Sequence, residues 1–119
     1  MRLIISSPKA FPKIWLADQA VDFRKSIDGL SEIIISNFDL KPKEAIFIFY
    51  NRGKNKIKIL VWHGNGFILI YKRLEQGRFK FQKTTQLSSL DEKQLSWLLA
   101  GLDWFSMSYW HELEFDDSF

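Results

Sequence analysis

Between Ile46 and Gln82 the chain sets down four short apolar runs, IFIFY, IKILVWH, FILIY and RFKFQ, separated only by NRGKNK, GNG and KRLEQG. None of these connections can hold a crossover helix, and parallel neighbours need a connection of about a dozen residues or more, so an antiparallel meander is expected. The connections suit tight turns: Arg52-Gly53-Lys54-Asn55, Gly64-Asn65-Gly66 and Glu75-Gln76-Gly77 supply residues that tolerate positive φ. In the second run Ile57, Ile59 and Val61 alternate with Lys56, Lys58 and Leu60; in the fourth, Phe79 and Phe81 alternate with Arg78, Lys80 and Gln82. Successive side chains of a strand point to opposite faces, so the two runs agree on one apolar and one basic face. The third run, Phe67 to Tyr71, is apolar throughout, as expected of a central strand covered on both sides.

Helical periodicity flanks this block. Phe23, Ile27, Leu30, Ile34 and Phe38 recur at spacings of one helix face, with Asp22 as the expected N-cap and Asn37 to Lys43, including Pro42, as the stop. Arg24, Lys25, Asp28 and Glu32 fall off that stripe, and Asp28 lies four residues after Arg24, the spacing of a helical ion pair. Gly29 inside this helix costs roughly 1 kcal/mol relative to alanine, which a close crossing over the sheet or another helix would explain. After the strands, Ser89 and Glu92 have capping-box spacing, Leu95, Leu98, Leu99 and Leu102 form a second stripe, and Gly101 sits at the expected stop. Lys13 to Ala17, following Pro12, suits a short edge strand. The expected fold is therefore α+β: a four-stranded antiparallel meander with an N-terminal and a C-terminal helix packed on one face and a short N-terminal edge strand. Residues 1–104 make one domain, and 105–119 an acidic aromatic tail.

Composition narrows the function classes. A chain of 119 residues with 46% hydrophobic content can form one core without metal or disulfide support, and without cysteine it has neither a disulfide framework nor a cysteine-ligated zinc site. The opening apolar run, Leu3 to Ile5, is too short for a signal h-region or a membrane span, so a cytoplasmic protein without membrane contact is expected. Net charge is only +3, but it is unevenly placed. From Asn51 to Lys83 the sole acid is Glu75, and beyond Lys93 no Lys or Arg occurs while Asp103, Glu112, Glu114, Asp116 and Asp117 accumulate. A molecule with a basic end points to an anionic partner.

No catalytic set stands out, and no cofactor or metal site is expected. His63 and His111 belong to no ligating pattern, Asp22 and Asp28 are six residues apart and so not on one helix face, and Gly64-Asn65-Gly66 lacks the Lys-Ser/Thr of a phosphate loop. The constellation with weight is basic residues interleaved with aromatics. Arg52, Lys54, Lys56, Lys58, Lys72, Arg73, Arg78 and Lys80 can meet phosphates, and Tyr50, Trp62 or Tyr71 can stack on bases. The competing reading is a lysine-rich solvent face that keeps sheet edges from aggregating.

Several stretches also resemble a known family. Asp22-Phe23-Arg24-Lys25-Ser26-Ile27-Asp28-Gly29-Leu30 matches its D-x-R-K-x-x-D-G-L, Asn51 to Gly66 matches its basic, tryptophan-containing core, and Lys72-Arg73-Leu74-Glu75-Gln76-Gly77-Arg78-Phe79 matches its K-R-L-E-x-G-R-F. Gln94-Leu95, Leu98-Leu99, Gly101 and Leu102-Asp103-Trp104 match its closing motif. The family is that of the small TnpB (Orf-two-like) accessory proteins of IS-sixty-six insertion sequences, distinct from the much larger RNA-guided nuclease of the same name. The resemblance implies a non-catalytic accessory factor for transposition, whose partners are insertion-sequence DNA ends and the separate transposase. It marks Arg24, Lys25, Asp28, Trp62 and Trp104 as motif positions for contact with a protein partner. His63 and Val61 depart from the family's commoner acid and tryptophan at those positions.

Overall fold

The computed structural model describes residues 12–108. The elements follow in the order β1 (Ile14–Leu16), α1 (Ile27–Ser36), β2 (Ile46–Tyr50), β3 (Lys56–His63), β4 (Gly66–Arg73), β5 (Ser88–Leu90) and α2 (Glu92–Leu99). Residues 104–108 are also helical. The chain is α+β, as its sequence predicts, but the sheet differs from a simple meander. Five strands lie in the order β4-β3-β2-β1-β5. The hairpins β2–β3 and β3–β4 are antiparallel, whereas β1 runs parallel to β2 and antiparallel to β5, which makes the sheet mixed.

Two expectations about strands are corrected by this order. The N-terminal strand is not an edge: it sits between β2 and β5, and the long return through α1 is what allows it to lie parallel to β2. Conversely β4, which carries the all-apolar run Phe67 to Tyr71, is an edge strand. The expected fourth meander strand, Arg78 to Gln82, does not form. Gly77 takes φ 79°, and the chain turns off the end of β4 instead of pairing along it. Phe79 and Phe81 still point inward as their alternation implies, but from an irregular strap. The Phe79 amide donates to the Lys54 carbonyl (2.7 Å), Phe79 is buried, and Phe81 stacks on Tyr50 at 3.8 Å.

The helices cover opposite faces rather than one. Phe49, Lys58 and Tyr71 are cross-strand partners and so share a face. That face meets the flanks of α1: Phe38 stacks on Phe49, Phe23 packs on Tyr71, and Lys58 bonds the carbonyls of Phe23 and Lys25. Tyr50, Ile57 and Lys72 share the other face, which meets the strap and the end of α2, where the Lys72 ammonium donates to the Leu99 carbonyl (2.6 Å). A sheet buried from both sides explains why all of β2 and the run Ile57–Val61 of β3 are buried.

Both helix starts are displaced from the expected residues. α1 begins after Ser26, not Asp22. Asp22 instead closes a turn: its carbonyl accepts from the Lys25 amide, and its carboxylate is taken by Arg24. α2 is capped by Asp91, whose carboxylate accepts from the Gln94 amide while the Gln94 side chain accepts from the Asp91 amide. Ser89 cannot serve, because Ser88–Leu90 is committed to pairing with β1. The stop at Gly101 is as expected: with φ 80°, its amide reaches Leu98 and that of Leu102 reaches Trp97, the Schellman pattern. Phe105 packs on Trp104, and the Ser108 hydroxyl joins Gln94 to the Trp104 carbonyl. The rest of the acidic aromatic tail, 109–119, lies outside the described residues. Among the described residues no helix is long and apolar enough to cross a membrane.

Candidate nucleic-acid interface

The turn between β2 and β3 gathers the basic residues. Its frame is Asn51, whose side-chain oxygen accepts from the amides of Asn55 (3.1 Å) and Lys56 (3.0 Å) and whose side-chain nitrogen donates to Asn55 Oδ1 (2.8 Å). An asparagine bonding to backbone a few residues on stabilises a tight reversal, and here Lys54, not Gly53, carries the positive φ of 60°. Two carbonyls of this turn then hold the later chain: Asn55 accepts from the Leu74 amide (2.8 Å) and Lys54 from the Phe79 amide (2.7 Å). Trp104 fastens the strap from the other side, its indole donating to the Lys80 carbonyl (3.0 Å).

The outcome is a basic end of the sheet rather than a basic face. Arg52, Lys54 and Lys56 come from the turn and the start of β3, Arg73 is the register partner of Lys56, and Arg78 and Lys80 come from the strap. Arg52, Lys54, Arg73, Arg78 and Lys80 are exposed and Lys56 is half-buried. Among the described residues the one carboxylate paired into this cluster is Glu75, 3.2 Å from Arg73. Unpaired like charges gathered at one end raise the positive potential there.

Two lysines of the predicted set are tied to backbone carbonyls of the chain itself. Lys58 is buried, its ammonium donating to the carbonyls of Phe23 (2.8 Å) and Lys25 (2.7 Å) and lying 4.9 Å from the Phe23 ring. A helix begun at Asp22 would have turned those carbonyls inward along its own axis; because α1 starts later, they are free to receive the ammonium. Lys72 serves the carbonyl end of α2, where the helix dipole favours a cation. The stacking candidates separate as well. Tyr50 is buried against Phe81, and burial first, then Asp18, raises its phenol pKa. Trp62 is edge-on to Phe67 with the Lys43 ammonium 4.3 Å above it, and Tyr71 is 51% exposed.

The residues marked for protein contact divide in the same way. Trp104 is buried and holds the strap, so it offers no surface. Asp28 is exposed, and the ion pair expected between it and Arg24 is absent. Arg24 instead grips Asp22, with Nη2 to Oδ2 at 2.6 Å and Nε within 3.1 Å of both oxygens. Those bonds hold the Asp22 carboxyl down at about 2 and raise the Arg24 guanidinium. Lys25 lines a cavity of about 340 Å³ between the β1–α1 connection and α1, together with Asp18, Asp22, Gly29, Glu32 and Phe38. Gly29 is not a close helix crossing. A Cβ there would meet only the Lys25 side chain, at 3.0 Å, so the glycine lets the Lys25 stem lie along the helix. Sequence periodicity misses this cavity because its wall is a connection with no repeat. Asn51 also goes unnoticed, although an asparagine entering a tight turn is a legible signal.

The family model described as IS66 Orf2 like protein matches residues 12–109. An uncharacterized protein of Sinorhizobium fredii (strain NBRC 101917 / NGR234), y4jC, is 34% identical over 94 residues, covering 77% of this chain and 80% of that protein. A second uncharacterized protein of the same strain, y4hO, is 30% identical over 94 residues, covering 77% of this chain and 82% of its own length. No solved structure matches the chain.

Proposed function

Since the chain belongs to the IS66 Orf2-like family, we propose that it is a non-catalytic accessory factor for transposition in the cytoplasm, binding element DNA through the basic end of its sheet beside a separate transposase. The observation that carries this reading is the convergence of Arg52, Lys54, Lys56, Arg73, Arg78 and Lys80, drawn from three stretches of chain by the carbonyls of a single turn. Lysine scattered for solubility needs no such gathering. Exposed cations around a rigid turn can neutralise several phosphates at once, and each contact released by salt contributes about −0.9 to the slope of log affinity against log salt. Fluorescence anisotropy with duplexes from the element ends tests this. The doubly reversed Lys54→Glu/Lys80→Glu protein should lose binding and flatten the slope, while an affinity indifferent to salt would sink the reading.

A second reading, a protein-only adaptor for the transposase, is supported by the cavity at α1, which is lined by the motif residues Asp22, Lys25 and Gly29. A mobility shift seen with the protein alone supports direct DNA contact; a shift that needs transposase, and is lost in Lys25→Glu, supports the adaptor.

A further inference from the structure

The two edges of the sheet are unlike. β5 is three residues long, too short to template a foreign strand. β4 is eight residues long, has no proline and presents Ile68 at 42% and Tyr71 at 51% exposure. Its pairing with β3 settles which backbone groups are free. His63 and Gly66 flank a two-residue turn in which Gly64, with φ 61°, takes the first central position, so they form the hydrogen-bonded pair that closes it. The Leu74 amide, bonded to the Asn55 carbonyl, keeps the same phase at the far end. Ile68, Ile70 and Lys72 therefore bond to β3, and the amides and carbonyls of Phe67, Leu69 and Tyr71 point outward from the sheet.

We infer that this edge pairs with the same edge of a second copy, antiparallel about a two-fold axis at Leu69. The occupant follows from symmetry and charge. A two-fold axis perpendicular to the sheet sets like face on like face, so residues opposite each other differ by an even number. Centring on Leu69 places it against itself, Phe67 against Tyr71 of the second copy and Ile68 against Ile70, all apolar. Lys72 then falls opposite Gly66, which has no side chain to obstruct it. Centring on Ile70 would set Ile68 against Lys72 and Phe67 against Arg73. The run is thus complementary to its own reverse, which a second copy supplies. Like charge does not oppose the pairing: the two Arg73 residues lie about 27 Å apart at a rise of ~3.4 Å per residue, well beyond the ~8 Å Debye length.

This association stands apart from DNA binding and is tested without DNA. A single strand pair is smaller than the roughly 800 Å² per partner of a standard interface, so dissociation in the micromolar range is expected. Sedimentation equilibrium of the full chain, from about 1 to 500 µM, should carry the mass from 14.1 kDa toward twice that value. Leu69→Pro removes an outward amide that the second copy needs and β3 does not, and should weaken the dimer at least about tenfold. Ile68→Lys, at a position already exposed, should act in the same direction and decides the matter if the proline variant does not fold by circular dichroism. A monomer mass at every concentration overturns the inference, including the case in which one of the chain's own termini occupies the edge. So does a dimer that survives unchanged in the folded variants.

Discussion

Replacing Lys58 separates a structural ammonium from a DNA-binding one. In Lys58→Met the stem is nearly preserved, but the carbonyls of Phe23 and Lys25 lose their donor and the Phe23 ring loses its cation. A hydrogen bond to a charged group contributes about 1.5–3 kcal/mol and a desolvated cation–π contact about 2. The gross loss is therefore about 5–8 kcal/mol, largely offset because the variant no longer desolvates an ammonium. A net destabilisation of about 2–3 kcal/mol is expected. For a chain of this size 1 kcal/mol moves Tm by about 4 °C, so the midpoint should fall by about 8–12 °C. Urea unfolding should show a lower midpoint with an unchanged slope, and amide exchange should quicken first in the turn from Asp22 to Ser26. DNA affinity of the folded protein should stay within about twofold of the parent, against a loss of about tenfold for Lys54→Glu, which on the proposed interface replaces a phosphate contact with repulsion. The opposite pattern, an unmoved Tm with weakened DNA binding, would refute the assignment of Lys58 to the fold and restore it to the interface.

Gly101→Ala should cost about 1–2 kcal/mol in urea unfolding, since φ there is 80° while space for the methyl group is open, so the penalty is conformational. The Asp22 carboxyl should titrate at about 2 by NMR, and Arg24→Ala should return it toward 3.8. Because its folded pKa lies below the unfolded one, whatever Asp22 contributes to stability is present above pH about 4 and is lost as the pH falls toward about 2. Trp104→Phe keeps most of the buried ring but leaves the Lys80 carbonyl without its donor; a loss of about 1 kcal/mol is expected, with faster exchange along the strap.

The parts of this fold that local chemistry dictates are legible in the sequence: the stripe of α1, the Gly101 stop, the two tight hairpins. What escapes is whatever depends on a distant partner. β1 and β5 are three residues each; β5 acquires meaning only by pairing with β1, some seventy positions earlier, and β1 by pairing with both β2 and β5. The alternation of Phe79 and Phe81 is real, yet a strap with its aromatics turned into the core writes the same alternation as a strand does. Capping signals compete in the same way. Ser89 is as good a cap as Asp91 until β1 takes its backbone.

The lysines show why a basic pattern underdetermines a basic surface. Lys56 and Lys58 are two residues apart in one strand and share a face, so any period-two argument must treat them alike. What separates them is distance from the end of the sheet. Lys56 sits where the chain reverses and Arg73 faces it, whereas Lys58 lies one step further in, beneath a turn whose carbonyls are not used by a helix. A buried ammonium needs such acceptors, and they lie thirty-odd residues earlier, in the turn before α1 where Arg24 holds Asp22 and the helix starts only after Ser26. The motif D-x-R-K at Asp22–Lys25 and the lysine at Lys58 are thus coupled through one turn, and on this account they should change together: a chain that loses the Arg24–Asp22 grip should also lose the reason to bury a lysine at position 58. In a double-mutant cycle, Arg24→Ala should therefore cost less in the Lys58→Met background than in the parent; strictly additive effects would show that the turn holds its shape without either contact.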